Sequence, residues 1–316
     1  MGAVSAMRIA ILGSNGHVGR NLASRWLAAG SNSMHLYSRD LIATSKLFGR
    51  SATSVGVCFP AYSEFYQHEY DAIVNCVGVV TQSVTAEQGD AIFRVTDEYD
   101  NLALRYLGEN KSCRYLNISS GAAYGSNFNC PPDESTTAQF NLNNIDKSEF
   151  YGLAKLYTEA KHRAMSDYMI VDLRLFGFFT HLADIHASFL LSEAACSIIE
   201  NKTLITSALD ITRDYVHPDE FYWLANRCVT GDRMNDVLDV YSAAPVTKFE
   251  LLEMMRQEFG LKYEIRPSMK STAIGGNKSR YYSANRKATS VGYQPKYNSL
   301  ETVRSEMQLL LLKEVN

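Results

Sequence analysis

The chain has 316 residues, 46% hydrophobic and 21% charged, with a formal net charge of −3. That length suits one large domain or two intimate lobes with a sizeable core, and the composition excludes disordered and fibrous chains. A nearly balanced, slightly acidic chain gives no sign of a nucleic-acid partner, which usually shows as a basic domain or stripe.

Met1 to Ala6 carries no basic segment followed by a long apolar one, so no secretory leader is expected. No apolar run approaches the roughly 18 residues of a membrane span, so no membrane association is expected. The six cysteines are widely spaced, with no C-x-x-C and no Cys/His cluster of metal spacing. Free thiols in a reducing compartment follow, and a cytoplasmic location with them. No metal is expected.

Arg8–Leu12 predicts a strand, and Val18, Leu22 and Trp26 then recur at helical spacing up to Gly30. Met34–Tyr37, Ala72–Val77, Tyr115–Ile118 and Met169–Leu175 read as further strands, the last preceded by a helix from about Phe150 to Met165. Strands alternating with helices imply a doubly wound parallel sheet covered on both faces. The second half predicts helices over Ala187–Glu200 and Pro218–Val229, a strand over Val237–Tyr241, a helix over Lys248–Phe259 stopped by Gly260, and a short strand over Tyr263–Arg266. Lys270–Tyr282 is polar, holds Gly275-Gly276 and reads as a mobile loop; Ser299–Glu314 reads as a closing helix. The fold class is α/β: a Rossmann domain over 1–178 plus about 213–240, and a smaller mixed α/β substrate lobe over about 179–212 and 241–316.

Gly13-Ser14-Asn15-Gly16-His17-Val18-Gly19 is a G-x-x-G-x-x-G run between a strand and a helix. Glycines permit the tight turn and close backbone approach to a pyrophosphate, and the helix N-terminus offers N–H donors. Gly13, Asn15, Gly16, His17 and Val18 are the expected pyrophosphate contacts, with His17 solvent-exposed beside the phosphates. An NAD site usually places an acid about 20 residues on, at the end of the second strand. Ser38 holds roughly that position and Arg39 follows it. A guanidinium there pairs with a 2′-phosphate, which favours NADP(H). Asp40 is the competing reading, and NAD stays possible.

Tyr151 and Lys155 lie at i and i+4, on one helix face. A tyrosine acting as acid and base near neutrality needs a cation beside it to favour the phenolate. Tyr157 and Lys161 repeat the spacing, but six residues turn a helix by about 600°, so Tyr157 points about 120° away. Gly152 and Ala154 favour the first pair, because small residues let a cofactor approach. Ser119-Ser120-Gly121-Ala122-Ala123-Tyr124 follows a strand at the carboxyl edge of the sheet, where a hydroxyl can donate to a substrate carbonyl.

These three motifs, in this order, resemble the extended branch of the short-chain dehydrogenase/reductase superfamily, over nearly the whole chain. Thr212-Arg213-Asp214-Tyr215-Val216-His217 resembles the R-D-[FY]-[VI]-H motif of nucleotide-sugar epimerases, dehydratases and reductases, and Val171–Gly177 resembles their R-x-F-N segment. Asn75-Cys76-Val77-Gly78 matches the loop along the cofactor, which adds Cys76, Val77 and Gly78 to its contacts. The resemblance implies Tyr151 as acid/base, Lys155 on the nicotinamide ribose, Ser120 polarising the substrate carbonyl and Arg213 on the substrate diphosphate. It also implies a homodimer through helices near Asp97–Gly108 and Gly152–Ser166.

Three departures stand out. Gly177 replaces an Asn that often contacts substrate phosphate. A second phosphate Arg is not evident, with Lys270, Lys278 and Arg280 as candidates. Gly121-Ala122 replaces the acid pair of the dehydratases, which disfavours elimination of water. The expectation is an NADP(H)-dependent reductase of a keto group on a nucleotide-linked sugar. Alternatives are an epimerase that retains NAD(P), a non-catalytic dinucleotide sensor, and a reductase of small carbonyl or steroid-type compounds. In the last case Arg213 would merely pair with Asp214. His181 is a candidate substrate-side acid, against an ordinary loop histidine. Of 19 tyrosines, Tyr281 and Tyr282 are the candidates for stacking on a base or sugar.

Overall fold

The computed structural model describes residues 6–30, 32–49, 56–78, 89–141, 143–267 and 278–315. Seven strands form one parallel sheet: β1 (Arg8–Leu12), β2 (Ser33–Tyr37), β3 (Val57–Cys58), β4 (Ala72–Asn75), β5 (Arg114–Ser120), β6 (Met169–Leu175) and β9 (Asp236–Val240), in the order β3-β2-β1-β4-β5-β6-β9. Their side chains alternate between two cores. Ile9 and Ile11 face α1 (His17–Ala29) and α6 (Pro218–Thr230), while Ala10 and Leu12 face α3 (Gly89–Glu109). The helix α4 (Phe150–Ala164) packs beside α3 and against β5. The chain order reverses between β1 and β4, which opens a crevice at their carboxyl ends.

Part of the tyrosine excess belongs to the α3 side. Tyr37, Tyr70, Tyr106 and Tyr115 are buried there, and each phenol has a partner. Tyr106 accepts from the Tyr70 amide at 2.8 Å, and Tyr115 donates to Asp100 at 2.9 Å.

The remaining elements build a second core: α5 (Leu190–Ile199), α7 (Lys248–Phe259) and α8 (Ser299–Val315), with β7 (Thr203–Thr206) paired to β11 (Lys262–Ile265). A further sheet orders β10 (Val246–Thr247), β8 (Thr212–Arg213) and β12 (Arg280–Tyr281). Ala288 and Tyr293 return to the first core, so the chain crosses back before α8. No helix among the described residues is long and apolar enough to cross a membrane.

Several boundaries differ from expectation. β4 stops at Asn75 rather than Val77, because the Asn75 carboxamide accepts the Val77 amide at 3.0 Å and turns the chain. α5 begins at Leu190, since the residues before it are spent in turns closed by Ala187 on Asp184 and Phe189 on Ala187. The helix α2 (Leu41–Phe48) has no strong apolar stripe in its sequence; it is started by Asp40, whose carboxylate accepts the Ala43 amide at 2.9 Å. Lys270, Gly275 and Gly276 lie outside the described residues, as do Met1–Ser5, but the end of that expected loop is a strand, β12.

Candidate active site

Gly13 takes a positive φ of 73°, and its carbonyl accepts the Gly16 amide at 3.1 Å. A Cβ on Gly19 would run into the Gly13 carbonyl, so the third glycine lets α1 close onto the loop. Gly16 caps α1 without a side chain, and no carboxylate occupies the first turn. The first amides of α1 are therefore left for an anion, and the cradle fits a dinucleotide pyrophosphate. Ser14 turns inward, its hydroxyl and amide both on the Tyr37 carbonyl, and Asn15 stays partly open.

His17 is not the exposed residue expected beside the phosphates. Its ring packs on Phe178 and bonds Thr180 at 2.9 Å, and burial pushes its pKa down to about 4. What His17 and Val18 offer an anion is their backbone at the start of α1. Ser38 is buried, its hydroxyl donating to the Asp40 carbonyl and meeting Thr44, while Arg39 is exposed. Asp40 spends a carboxylate oxygen on the cap of α2. Beyond β4, Cys76 and Val77 lie against the glycine loop and Gly78 is open; the buried Cys76 thiol is pushed up to about 12 and is chemically quiet.

The two serines ending β5 divide. Ser119 donates to Glu159 of α4 at 2.5 Å, and Glu159 in turn holds Arg174 through paired bonds, the shortest 2.6 Å. Ser120 faces the other way. Its Oγ accepts the Ala122 amide at 3.2 Å and meets the Tyr281 phenol at 3.1 Å. Lys155 is 3% exposed, donates to the Ile118 carbonyl at 2.8 Å, and lies 5.7 Å from the centre of the Tyr151 ring. Tyr157 is 55% exposed and Lys161 turns to Asp97 and Asp100, so the repeated spacing is a surface pair. Gly152 has a different reason from the one expected: a Cβ there would strike the Ala122 carbonyl, so α4 touches the serine turn backbone to backbone.

The three-stranded sheet carries the expected substrate residue Arg213. β8 and β12 pair with Tyr281 opposite Arg213. Arg213 Nη1 donates to the carbonyls of Thr212 and Lys278 at 2.9 and 2.8 Å, and burial lowers its pKa. Asp214 points elsewhere, onto Ser242 and Ser299, so Arg213 does not pair with it. Lys278 rests 4.8 Å from the ring centres of both Phe128 and Tyr281, and burial with Arg213 nearby pushes its pKa down to about 8. Neither cation makes an ion pair among the described residues. Two half-buried cations without an ion-pair partner among the described residues are electrostatically suited to receive an anion. Arg280 is exposed.

Gly177 cannot carry the expected family side chain, because a Cβ there would meet the Asp214 carbonyl. Nor is His181 a free acid: its Nδ1 and amide both bond Glu306 of α8, at 2.7 and 2.8 Å. It ties the second lobe together. Tyr281, a stacking candidate in the sequence, brings its phenol to Ser120, a contact with no sequence signal.

A model of the NAD dependent epimerase/dehydratase family matches residues 9–229. A search of curated proteins returns no match. Among solved structures, UDP-glucose 4-epimerase of Thermotoga maritima, with UDP-glucose, is 15% identical, covers 98% of this chain and 100% of its own, and superposes with a TM-score of 0.80. UDP-glucuronic acid 4-epimerase of Bacillus cereus, with UDP-glucuronic acid and NAD, is 14% identical over 98% of this chain and 100% of its own, at a TM-score of 0.79. WbmG of Bordetella bronchiseptica, with NAD and UDP, is 19% identical over 99% of this chain and 97% of its own, at 0.76. The fold, the glycine cradle and the family match agree, and the chain belongs to the NAD dependent epimerase/dehydratase family.

Proposed function

We propose that the protein is an NADP(H)-dependent reductase of a keto group on a nucleotide-linked sugar. One observation carries the reading: Tyr281 lies between Ser120 and the half-buried Arg213 and Lys278, which make no ion pair among the described residues. A carbonyl-polarising hydroxyl thus stands beside a site for phosphate charge. The solved neighbours that hold UDP-sugars support a nucleoside diphosphate in that position.

A bound nicotinamide supplies the hydride. Ser120 donates to the substrate oxygen, and Tyr151 gives it a proton as the alkoxide develops. Lys155, held by the Ile118 carbonyl, keeps a cation near the Tyr151 ring and is placed for the nicotinamide ribose. Arg213 and Lys278 grip the diphosphate. Arg39 favours NADP(H), since no acid stands at Ser38 and Asp40 is engaged on α2. His181 is left out of this chemistry.

Adding a 4-keto nucleotide sugar to the protein with NADPH tests the reading: stoichiometric loss of NADPH absorbance is expected. Tighter binding of NAD than NADP overturns the cofactor preference. A second reading, epimerisation with retained cofactor, draws support from the NAD-bound 4-epimerase among the neighbours. Cofactor released on denaturation and identified by mass spectrometry, with epimer formed and no net NADPH loss, selects it. A purely dinucleotide-sensing protein would keep its behaviour in Tyr151→Phe. Dehydration is disfavoured, because the Phe176 ring fills the space a Gly121 side chain would need. We propose a homodimer through α3 and α4, which expose Phe93 and Tyr157; light scattering at the monomer mass refutes it.

A further inference from the structure

We infer that Tyr281 is a positioning residue for Ser120, fixing the serine proton on the substrate oxygen. The inference rests on the reading of Ser120 given above. A serine hydroxyl has one proton to give and two lone pairs to fill. The Ala122 amide fills one lone pair of Ser120 Oγ at 3.2 Å. The Tyr281 phenol stands 3.1 Å away, within reach of the other. A phenol is much the more acidic of the two hydroxyls, so its proton is the one that bridges the two oxygens. With both lone pairs occupied by donors, the serine proton has one remaining direction, outward toward a ligand.

Two features hold the phenol in this role. The ring is clamped by Phe128 and Phe176, at centre distances of 4.8 and 5.2 Å, and its strand is registered against Arg213. Burial disfavours the phenolate, so Tyr281 stays a donor across the working pH range. Arg213 and Lys278 beside the same ring draw on its electrons and strengthen that donation. Phosphate bound to these cations and the serine at the reaction centre therefore share one side chain, 161 residues along the chain from Ser120.

Tyr281→Phe keeps the ring and removes the hydroxyl. With a nucleotide sugar that the wild type turns over, kcat is expected to fall about tenfold with KM unchanged, since loss of a direct oxyanion donor costs about a hundredfold or more and this group acts one step behind it. The isotope effect from deuterated NADPH is expected to rise, as hydride transfer becomes slower. In a Ser120→Ala background the same change is expected to add nothing. Wild-type kcat in Tyr281→Phe, or losses that multiply with those of Ser120→Ala, overturns the inference and leaves the functional reading intact. Full turnover in Ser120→Ala overturns the reading of Ser120, and this inference with it. Cofactor binding and the melting midpoint, unchanged in Tyr281→Phe, exclude a folding defect as the cause.

Discussion

His162, fully buried on the helix that carries Tyr151 and Lys155, lies between Asp100 of α3 at 2.8 Å and Asp172 of β6 at 2.9 Å. Burial alone would lower its pKa, but the hydrogen bonds and charges of the two carboxylates outweigh that and raise it to about 9. The folded value lies above the unfolded one of about 6.5. The stabilisation is therefore full below pH ~6.5 and lost as pH rises through ~9. At roughly 1.4 kcal/mol per pH unit, that interval corresponds to about 3 kcal/mol. His162→Gln cannot charge, so the stability gap between it and the wild type should narrow by about that amount between pH 6.5 and 9. Urea unfolding of both proteins at several pH values measures it. Lys278, pushed down to about 8, contributes an opposite slope above that pH, but both proteins share it and it cancels in the difference. His17 and His35, both pushed down to about 4, act only on the acid side, where stability is lost as pH falls below 6.5. A gap that stays constant from pH 6.5 to 9 would mean the buried imidazole is neutral, and would refute the argument.

Other tests separate chemistry from scaffolding. Ser119→Ala should cost about 1–2 kcal/mol of stability, read by denaturant unfolding, with kcat unchanged, because it leaves Glu159 short of a donor. Gly177→Asn, which restores the family side chain, should lower stability by about 1–3 kcal/mol through collision with the Asp214 carbonyl; an unchanged melting midpoint with tighter nucleotide-sugar binding would contradict this. Arg213→Ala and Lys278→Ala should each weaken UDP binding by calorimetry about tenfold or more, the scale of a lost charged hydrogen bond. Arg39→Ala should weaken NADP about tenfold and leave NAD nearly unchanged.

The buried parallel strands were readable because a strand covered on both faces is a short unbroken apolar run, as at Ile9–Leu12 and Ala72–Val74. That Tyr151 and Tyr157 cannot serve one site was also readable from helical rotation, and the small residues Gly152 and Ala154 pointed to Tyr151; Tyr157 is exposed, although Gly152 is small for its contact with the Ala122 carbonyl. The substrate side was much less so. β8, β10 and β12 are two residues each, too short for any period to show. Tyr281 and Ser120 meet only through the pairing of β12 with β8, a contact that no local pattern announces. The glycine at 177 looked like a lost ligand, whereas its cause is a carbonyl 37 residues further on. His17 and His181 sit in suggestive places in the sequence, yet Thr180 and Glu306 take their rings.

The contact between Gly152 and the Ala122 carbonyl bears on how such a protein diversifies. It sets the spacing of the tyrosine helix and the serine turn through main-chain atoms, so side-chain drift elsewhere leaves that spacing alone. Arg213 and Tyr281 sit instead on a small separate sheet, with Lys278 just ahead of β12. New ligand preferences can accordingly be built by rewriting β8 and β12, with the reaction centre inherited unaltered.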